Sequence, residues 1–294
     1  MMRLLHIVKN EELRLAIFTE QGVLDLAEAG EVFNFSLPQT LKQVIIQGEE
    51  GLAKIEEITN KAMSQRKDLF RQEESITFGP SVDSPEKIIC IGLNYISHAE
   101  ESKMKVPTEP IVFSKFSNAL SAHQQIVELP NNAEKYDYEA ELVVIIGKEA
   151  RNITEEEAPN YIFGYTIGND LSARDLQFKT GQWLIGKTLD GFAPVGPYTV
   201  PSKFIGNPHN LDIECRVNGQ VCQKANTKDM IFNCYKIISY LSEYMTLKPG
   251  DVIFTGTPEG VILGYPEGEQ AWLTSQDEVT ISIDKLGTLR NTLS

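Results

Sequence analysis

The branched apolar run Leu142-Val143-Val144-Ile145-Ile146, closed by Gly147, predicts a strand buried for most of its length. It is entered through Asp137-Tyr138-Glu139-Ala140-Glu141, and because strand side chains alternate faces, Glu139 and Glu141 point the same way. Before it, the pattern is of mixed type. Leu13–Thr19 and Val23–Leu26 flank Glu20-Gln21-Gly22 as a hairpin, and Thr40–Ile46 reads as a helix. Leu52, Ile55, Ile58 and Ala62 then recur on one face of an amphipathic helix. A charged run over residues 66–74 and the Gly79-Pro80 break predict a linker. The expected division is a small N-terminal α+β domain over 1–80 and a larger domain over 81–294.

Strands dominate the larger part. Lys87–Ile91, Ile111–Lys115, Tyr161–Gly168 and Asp251–Phe254 are apolar runs, and Val279–Ile283 with Leu286–Leu289 makes a closing hairpin. Asn218-Gly219 marks a two-residue turn, and Gly196-Pro197 a break. Helices are few: a short one over Asn94–Glu101, one opened by the Thr154/Glu157 capping box and shortened by Pro159, and an amphipathic one over Asp229–Met245. The long polar loop Ser102–Pro110 has the character of a mobile lid. The fold class this predicts is mixed and mainly β.

Composition narrows the partners. Over 294 residues, 27 basic side chains face 41 acidic ones, a net charge of −14. That argues against nucleic acid and against an anionic membrane surface, but not against a small anionic substrate held through a cation. No stretch approaches a membrane span, and the apolar run at the N-terminus is too short for a signal peptide, so the protein is expected in the cytoplasm. Cys90, Cys215, Cys222 and Cys234 lack zinc-like spacing. Cys215 and Cys222 are expected to face each other across the Asn218-Gly219 hairpin, as reduced thiols.

Several polar groups then ask for an explanation. Glu139 and Glu141 either lie on a solvated outer face, share a proton, or hold a cation between them. His98 and Glu101 share a helix face, either as a surface pair or as a carboxylate-oriented general base. Asp170 stands where a strand gives way to a turn, as a helix cap or a functional group. Lys187 is a site cation or a long side chain at the core edge. The turn Thr255-Gly256-Thr257-Pro258-Glu259-Gly260 has the glycines to aim N–H groups at an anion, without the ending of a P-loop.

Taken in order, Gly92-Leu93-Asn94-Tyr95 with His98, Tyr138-Glu139-Ala140-Glu141-Leu142, Gly164-Tyr165-Thr166 with Asn169-Asp170, Ser172-Ala173-Arg174-Asp175, Lys187 and Thr255–Gly260 resemble the fumarylacetoacetate hydrolase family. The likeness covers residues 85 to 294 and is to the shorter acylpyruvase and oxaloacetate decarboxylase branch. It implies a mixed β-sandwich roll with a small variable N-terminal domain, assembled as a homodimer. It makes Glu139, Glu141 and Asp170 ligands of one Mg²⁺ or Mn²⁺, and all-oxygen ligation suits those hard cations. By the same resemblance His98 and Glu101 form the water-activating dyad, Lys187 is the cation beside the reacting oxygen, and Gln177, Thr257 and Arg174 contact substrate. Ser97 stands where the family commonly has Asp, and Ile96 replaces a frequent Arg or Ala.

The chemistry implied is cleavage of a C–C bond in a small 2-oxo acid, by acylpyruvate hydrolysis or oxaloacetate decarboxylation, through a metal-stabilised enolate. An isomerase of a 2-hydroxy- or 2-oxo-diene dicarboxylate shares that enolate. A non-catalytic metal- or ligand-binding protein is the competing class.

Overall fold

The computed structural model describes residues 1–294. Its centre is a 12-stranded mixed sheet, and the strand Ala140–Ile146 runs through the middle of it with every residue buried. On one side Ala140–Ile146 pairs with Ile162–Asn169, on the other with Val252–Phe254, both antiparallel. Ile88–Gly92 lies parallel to Val252–Phe254, and Ile111–Lys115 closes that end of the sheet. At the other end Ala193–Pro201 pairs with Ile162–Asn169 and then, at Thr199 against Leu4, with the first strand, Arg3–Lys9. The strands Glu12–Thr19 and Gly22–Asp25 therefore extend the same sheet.

Alternation along the central strand explains how two cores share it. Leu142, Val144 and Ile146 face a core completed by Ile213, Ile281 and Leu289 of a five-stranded sheet and by Ile237, Ile238 and Leu241 of the helix Cys234–Tyr244. Val143 and Ile145 face the opposite core, filled by Leu41, Val44, Leu52, Ile55 and Ile58 of the helices Leu41–Gln47 and Glu49–Gln65. The N-terminal helices thus floor the sheet that carries the acidic residues.

Local chemistry moved several element boundaries. A helix over Leu26–Phe33, with no apolar repeat long enough to announce it, is capped by Asp25, which accepts from the N–H groups of Ala27 and Glu28. The Thr154/Glu157 capping box forms, at 2.8 and 3.3 Å, but leads only to a 3₁₀ turn, Ala158–Tyr161, because Pro159 follows at once. The expected helix over Asp229–Met245 starts instead at Cys234 under an Asn233 cap. Before it Thr227–Asp229 forms a separate 3₁₀ turn, and Asn94 ties down the bend that follows, accepting from the N–H groups of Ile231 and Phe232. Gly196-Pro197 is a cis bond inside the strand Ala193–Pro201 rather than a break. Pairing with the neighbouring strand skips there, so the missing proline N–H falls outside the ladder.

The cysteine expectation needs correction. Asn218 and Gly219 both take positive φ and form the two-residue turn. A bulge between Cys215 and Arg216 then shifts the register, so Cys215 sits opposite Gln223, not Cys222, and all four cysteines are free.

His123 links two parts of the roll. Its Nδ1 accepts the backbone N–H of Arg290 at 3.0 Å, and its ring meets Phe78 edge-on. Burial, with the positive charge of Arg290, pushes its pKa from 6.5 down to about 4. In the unfolded chain the ring takes a proton below about 6.5, whereas the folded ring stays neutral to about 4. More protons are then bound by the unfolded state, so stability is lost as pH falls through that window. We expect a loss of about 3 kcal/mol from this ring between those limits. Urea melts of His123→Gln should show a flatter pH profile; buried His6, also held down by its burial, keeps part of the slope. An identical profile in the variant would contradict this account.

Candidate active site

The antiparallel register builds the acidic centre. Ala140 lies opposite Asn169, so the end of Ile162–Asn169 brings Asp170 beside Glu139. The Asp170 N–H donates to the Glu139 carbonyl at 2.9 Å, and the Asn169 side-chain oxygen accepts the Glu139 N–H at 3.0 Å. Glu139, Glu141 and Asp170 are 6%, 1% and 0% exposed, and one carboxylate oxygen from each lies within 4.8 Å of the others. The solvated-face reading of Glu139 and Glu141 is thereby excluded, as is a helix cap for Asp170.

Three buried cations face these carboxylates. Lys187 Nζ donates to Glu139 Oε2 at 2.8 Å and to Asp170 Oδ2 at 3.0 Å. Arg174 pairs with Glu139 Oε1 at 2.7 Å and with Asp137 Oδ2 at 2.8 Å, and donates to Gln177 Oε1 at 2.9 Å. Lys115 lies 2.6 Å from Asp170 Oδ1, a close charge contact. Asp137 in turn accepts the N–H groups of Ile262 and Leu263. Burial would raise the Glu139 carboxyl, but Lys187 and Arg174 outweigh it and hold Glu139 well below the usual range. Glu141 goes the opposite way: burial, then the charges of Asp170 and Glu139, push it well up. Its one hydrogen bond is from the Gly256 N–H, at 2.7 Å.

The glycine-rich turn therefore does aim N–H groups at anions, but these anions are the protein's own. Gly256 serves Glu141, and Gly260 donates to Glu101 at 2.9 Å. Glu101 uses its other oxygen on His98 Nδ1 at 2.8 Å, which leaves Nε2 free on a ring that lines the cleft. Ser97, one residue earlier on the helix Ile96–Glu101, donates to Glu259 of the same turn. The cleft is lined by the polar side chains of Glu139, Glu141, Lys187, His98 and Thr257 and by the aromatic rings of Phe113, Phe178 and Trp183. Lys187 Nζ also stands 5.1 Å from the Phe113 ring centre.

All nine residues singled out from the sequence thus gather within one region, but in different situations. His98, Glu139, Glu141, Lys187, Gln177, Thr257 and Arg174 reach the cleft wall. Asp170 lies behind it, bound to Lys187 and Lys115. Arg174 donates from Nε to Asp137 and from one terminal nitrogen to Gln177, its other terminal nitrogen lies in ion-pair contact with Glu139 without a hydrogen bond, and Thr257 accepts from Gln223 at 2.8 Å. Asp137, Gln223 and Lys115 were not anticipated. Asp137 carried a signal, since it continues the alternation of Glu139 and Glu141; Gln223 and Lys115 arrive from distant strands and carried none.

The sequence profile of the fumarylacetoacetate (FAA) hydrolase C-terminal family matches residues 87–294. The chain belongs to the fumarylacetoacetate hydrolase family. It is 40% identical over 296 aligned residues to the fumarylacetoacetate hydrolase domain-containing protein 2 homolog of Dictyostelium discoideum, covering 97% of this chain and 93% of that one. To the mitochondrial oxaloacetate tautomerase Fahd2a of Rattus norvegicus it is 39% identical, over 92% of this chain and 83% of the relative. Among solved structures, the fumarylacetoacetate hydrolase of Exiguobacterium antarcticum superposes with a TM-score of 0.83 at 30% identity, covering 100% of this chain and 99% of that one. The mixed, mainly β fold expected of this family is the one observed.

Proposed function

We propose that this protein is a divalent-metal-dependent enzyme that acts on a small 2-oxo acid through its enolate, with oxaloacetate as the substrate. The observation that carries this reading is the cluster of three buried carboxylates at a cleft wall that also presents Lys187 and the His98–Glu101 pair. The donor set fits Mg²⁺ or Mn²⁺: three hard oxygen ligands converge, and Glu141 has a single hydrogen bond for its two oxygens. When bound, the cation would supply Lewis acidity at the keto oxygen.

The chain's own groups do the rest. Lys187 places positive charge beside the acidic centre, where an enolate oxygen gathers charge. Glu101, fixed by the Gly260 N–H, holds His98 Nδ1 and so orients Nε2 as the base. Removing a proton from C3 of oxaloacetate and returning it to oxygen is keto–enol tautomerisation, the activity in the rat relative's name. C–C bond cleavage is a second reading, supported by the same dyad: His98 would take a proton from water in acylpyruvate hydrolysis. Decarboxylation of oxaloacetate needs neither transfer. His98→Ala is accordingly expected to lower tautomerisation and acetylpyruvate hydrolysis by roughly 10²–10⁴-fold and to spare decarboxylation. Equal loss of all three rates would remove His98 from the role of base.

We further propose a homodimer, since the sheet ends on Ile111–Lys115 with Val112 and the adjoining Phe116 exposed, an open edge for a second copy to cover. Four free cysteines suit a reducing compartment, and no helix is long and apolar enough to cross a membrane. Cytoplasmic placement remains our proposal, beside a rat relative whose name is mitochondrial.

A further inference from the structure

We infer that Lys115 is a positioning residue of the carboxylate centre, fixing Asp170 and the backbone of Lys187 at a single point. The inference rests on the metal-dependent reading given above. Lys115 ends the edge strand Ile111–Lys115, where Val112 and Ser114 are exposed, yet it is itself only 2% exposed. Its side chain runs inward to four oxygens drawn from three separate segments. Nζ donates to the carbonyls of Leu171 at 3.0 Å and Phe192 at 2.8 Å, and also to the carbonyl of Lys187. The fourth oxygen is Asp170 Oδ1, at 2.6 Å.

An ammonium has three N–H donors, so these partners leave none for a substrate, and Lys115 is absent from the cleft wall. Its influence passes through the groups it holds. Asp170 Oδ2 accepts a hydrogen bond from Lys187, and Oδ1, which has no hydrogen bond of its own, lies in charge contact with Lys115, so the two cations together set the rotation of the carboxylate. The Lys187 carbonyl is pinned while its side chain reaches Glu139 and Asp170 from the opposite direction. One buried charge thus sets the angle of a proposed ligand and the root of the proposed active-site cation. A neutral side chain would leave three carbonyls and a carboxylate oxygen without that partner, and the carboxylate free to turn.

The test measures Mn²⁺ affinity by electron paramagnetic resonance of the free ion, which needs no turnover. Lys115→Met is expected to weaken Mn²⁺ binding roughly 10–100-fold. It should also lower kcat on oxaloacetate, with KM held within about twofold. The affinity loss should vanish when Asp170→Asn is already present, because the two changes remove the same arrangement. Should Lys115→Met fail to fold, Lys115→Arg keeps the charge, but its planar fork does not converge on four oxygens as an ammonium does. It too is expected to bind Mn²⁺ more weakly. A folded Lys115→Met or Lys115→Arg protein with wild-type Mn²⁺ affinity overturns the inference and leaves the metal site standing. A wild-type protein that binds no Mn²⁺ overturns both.

Discussion

Glu141→Gln is expected to eliminate Mn²⁺ binding and to lower turnover of oxaloacetate by at least roughly 10²–10³-fold, in a protein that still folds. The amide oxygen of the glutamine can accept the Gly256 N–H as the carboxylate does, so no backbone donor is stranded. What disappears is one negative charge from a group that burial, Asp170 and Glu139 already push toward its neutral form. Without metal, the variant should therefore melt no lower than the wild type at neutral pH. With Mn²⁺ the two should part. A cation at 100 times its Kd stabilises the wild type by about 2.7 kcal/mol, and the variant should gain nothing. Thermal melts in EDTA and in Mn²⁺ measure both. Equal Mn²⁺ stabilisation of the two proteins would show that the cation binds elsewhere.

Gly256→Ala carries the second large effect, this time on both stability and site. Gly256 has φ +96°, in the region that disfavours every residue with a Cβ, and an added Cβ would lie 2.6 Å from Asn94 Cβ and 3.0 Å from the Ile91 carbonyl oxygen. Neither neighbour yields readily. Asn94 is tied by its side-chain amide to the carbonyls of Thr255 and Phe232, and Ile91 lies in the strand Ile88–Gly92. Strain and clash together should cost roughly 2–4 kcal/mol in a denaturant melt. Any relief that moves the turn also withdraws the N–H from Glu141 and shifts Gly260 under Glu101. Activity should thus fall even at temperatures where the variant stays folded. A variant of wild-type stability would mean that the turn relaxes without strain, contrary to its packing.

How much of this was legible in the residues depends on the range of each interaction. The alternation in Asp137–Glu141 and the apolar run after it fixed both the buried strand and the shared direction of Glu139 and Glu141, because both follow from the period of one strand. The helix Glu49–Gln65 was equally clear from its apolar repeat. Boundaries set by distant partners were not clear. Nothing near Asp229 announces that Asn94 will delay the helix to Cys234, and nothing near Cys215 announces the bulge that parts it from Cys222. The N-terminal strands read as a separate hairpin, but the pairing of Leu4 with Thr199 lies outside any local pattern.

The site divides along the same line. His98 and Glu101 are three residues apart on one short helix, and their bond at 2.8 Å was foreseeable from that spacing. The convergence of Asp170 with Glu139 and Glu141 depends on which strand pairs with which, and was reached through the family resemblance. Lys115 shows the limit: nothing in the residues around it announces a buried partner, and only the folded chain brings it to Asp170.

The most direct test of the central claim follows conversion of enol to keto oxaloacetate by ultraviolet absorbance, with Mn²⁺ or with EDTA, for the wild type and for Glu141→Gln. The three-carboxylate account predicts fast conversion by the wild type with Mn²⁺, a loss to near the uncatalysed rate in EDTA, and no recovery by Mn²⁺ in the variant. Wild-type conversion that persists undiminished in EDTA, or a variant that responds to Mn²⁺ as the wild type does, would contradict it.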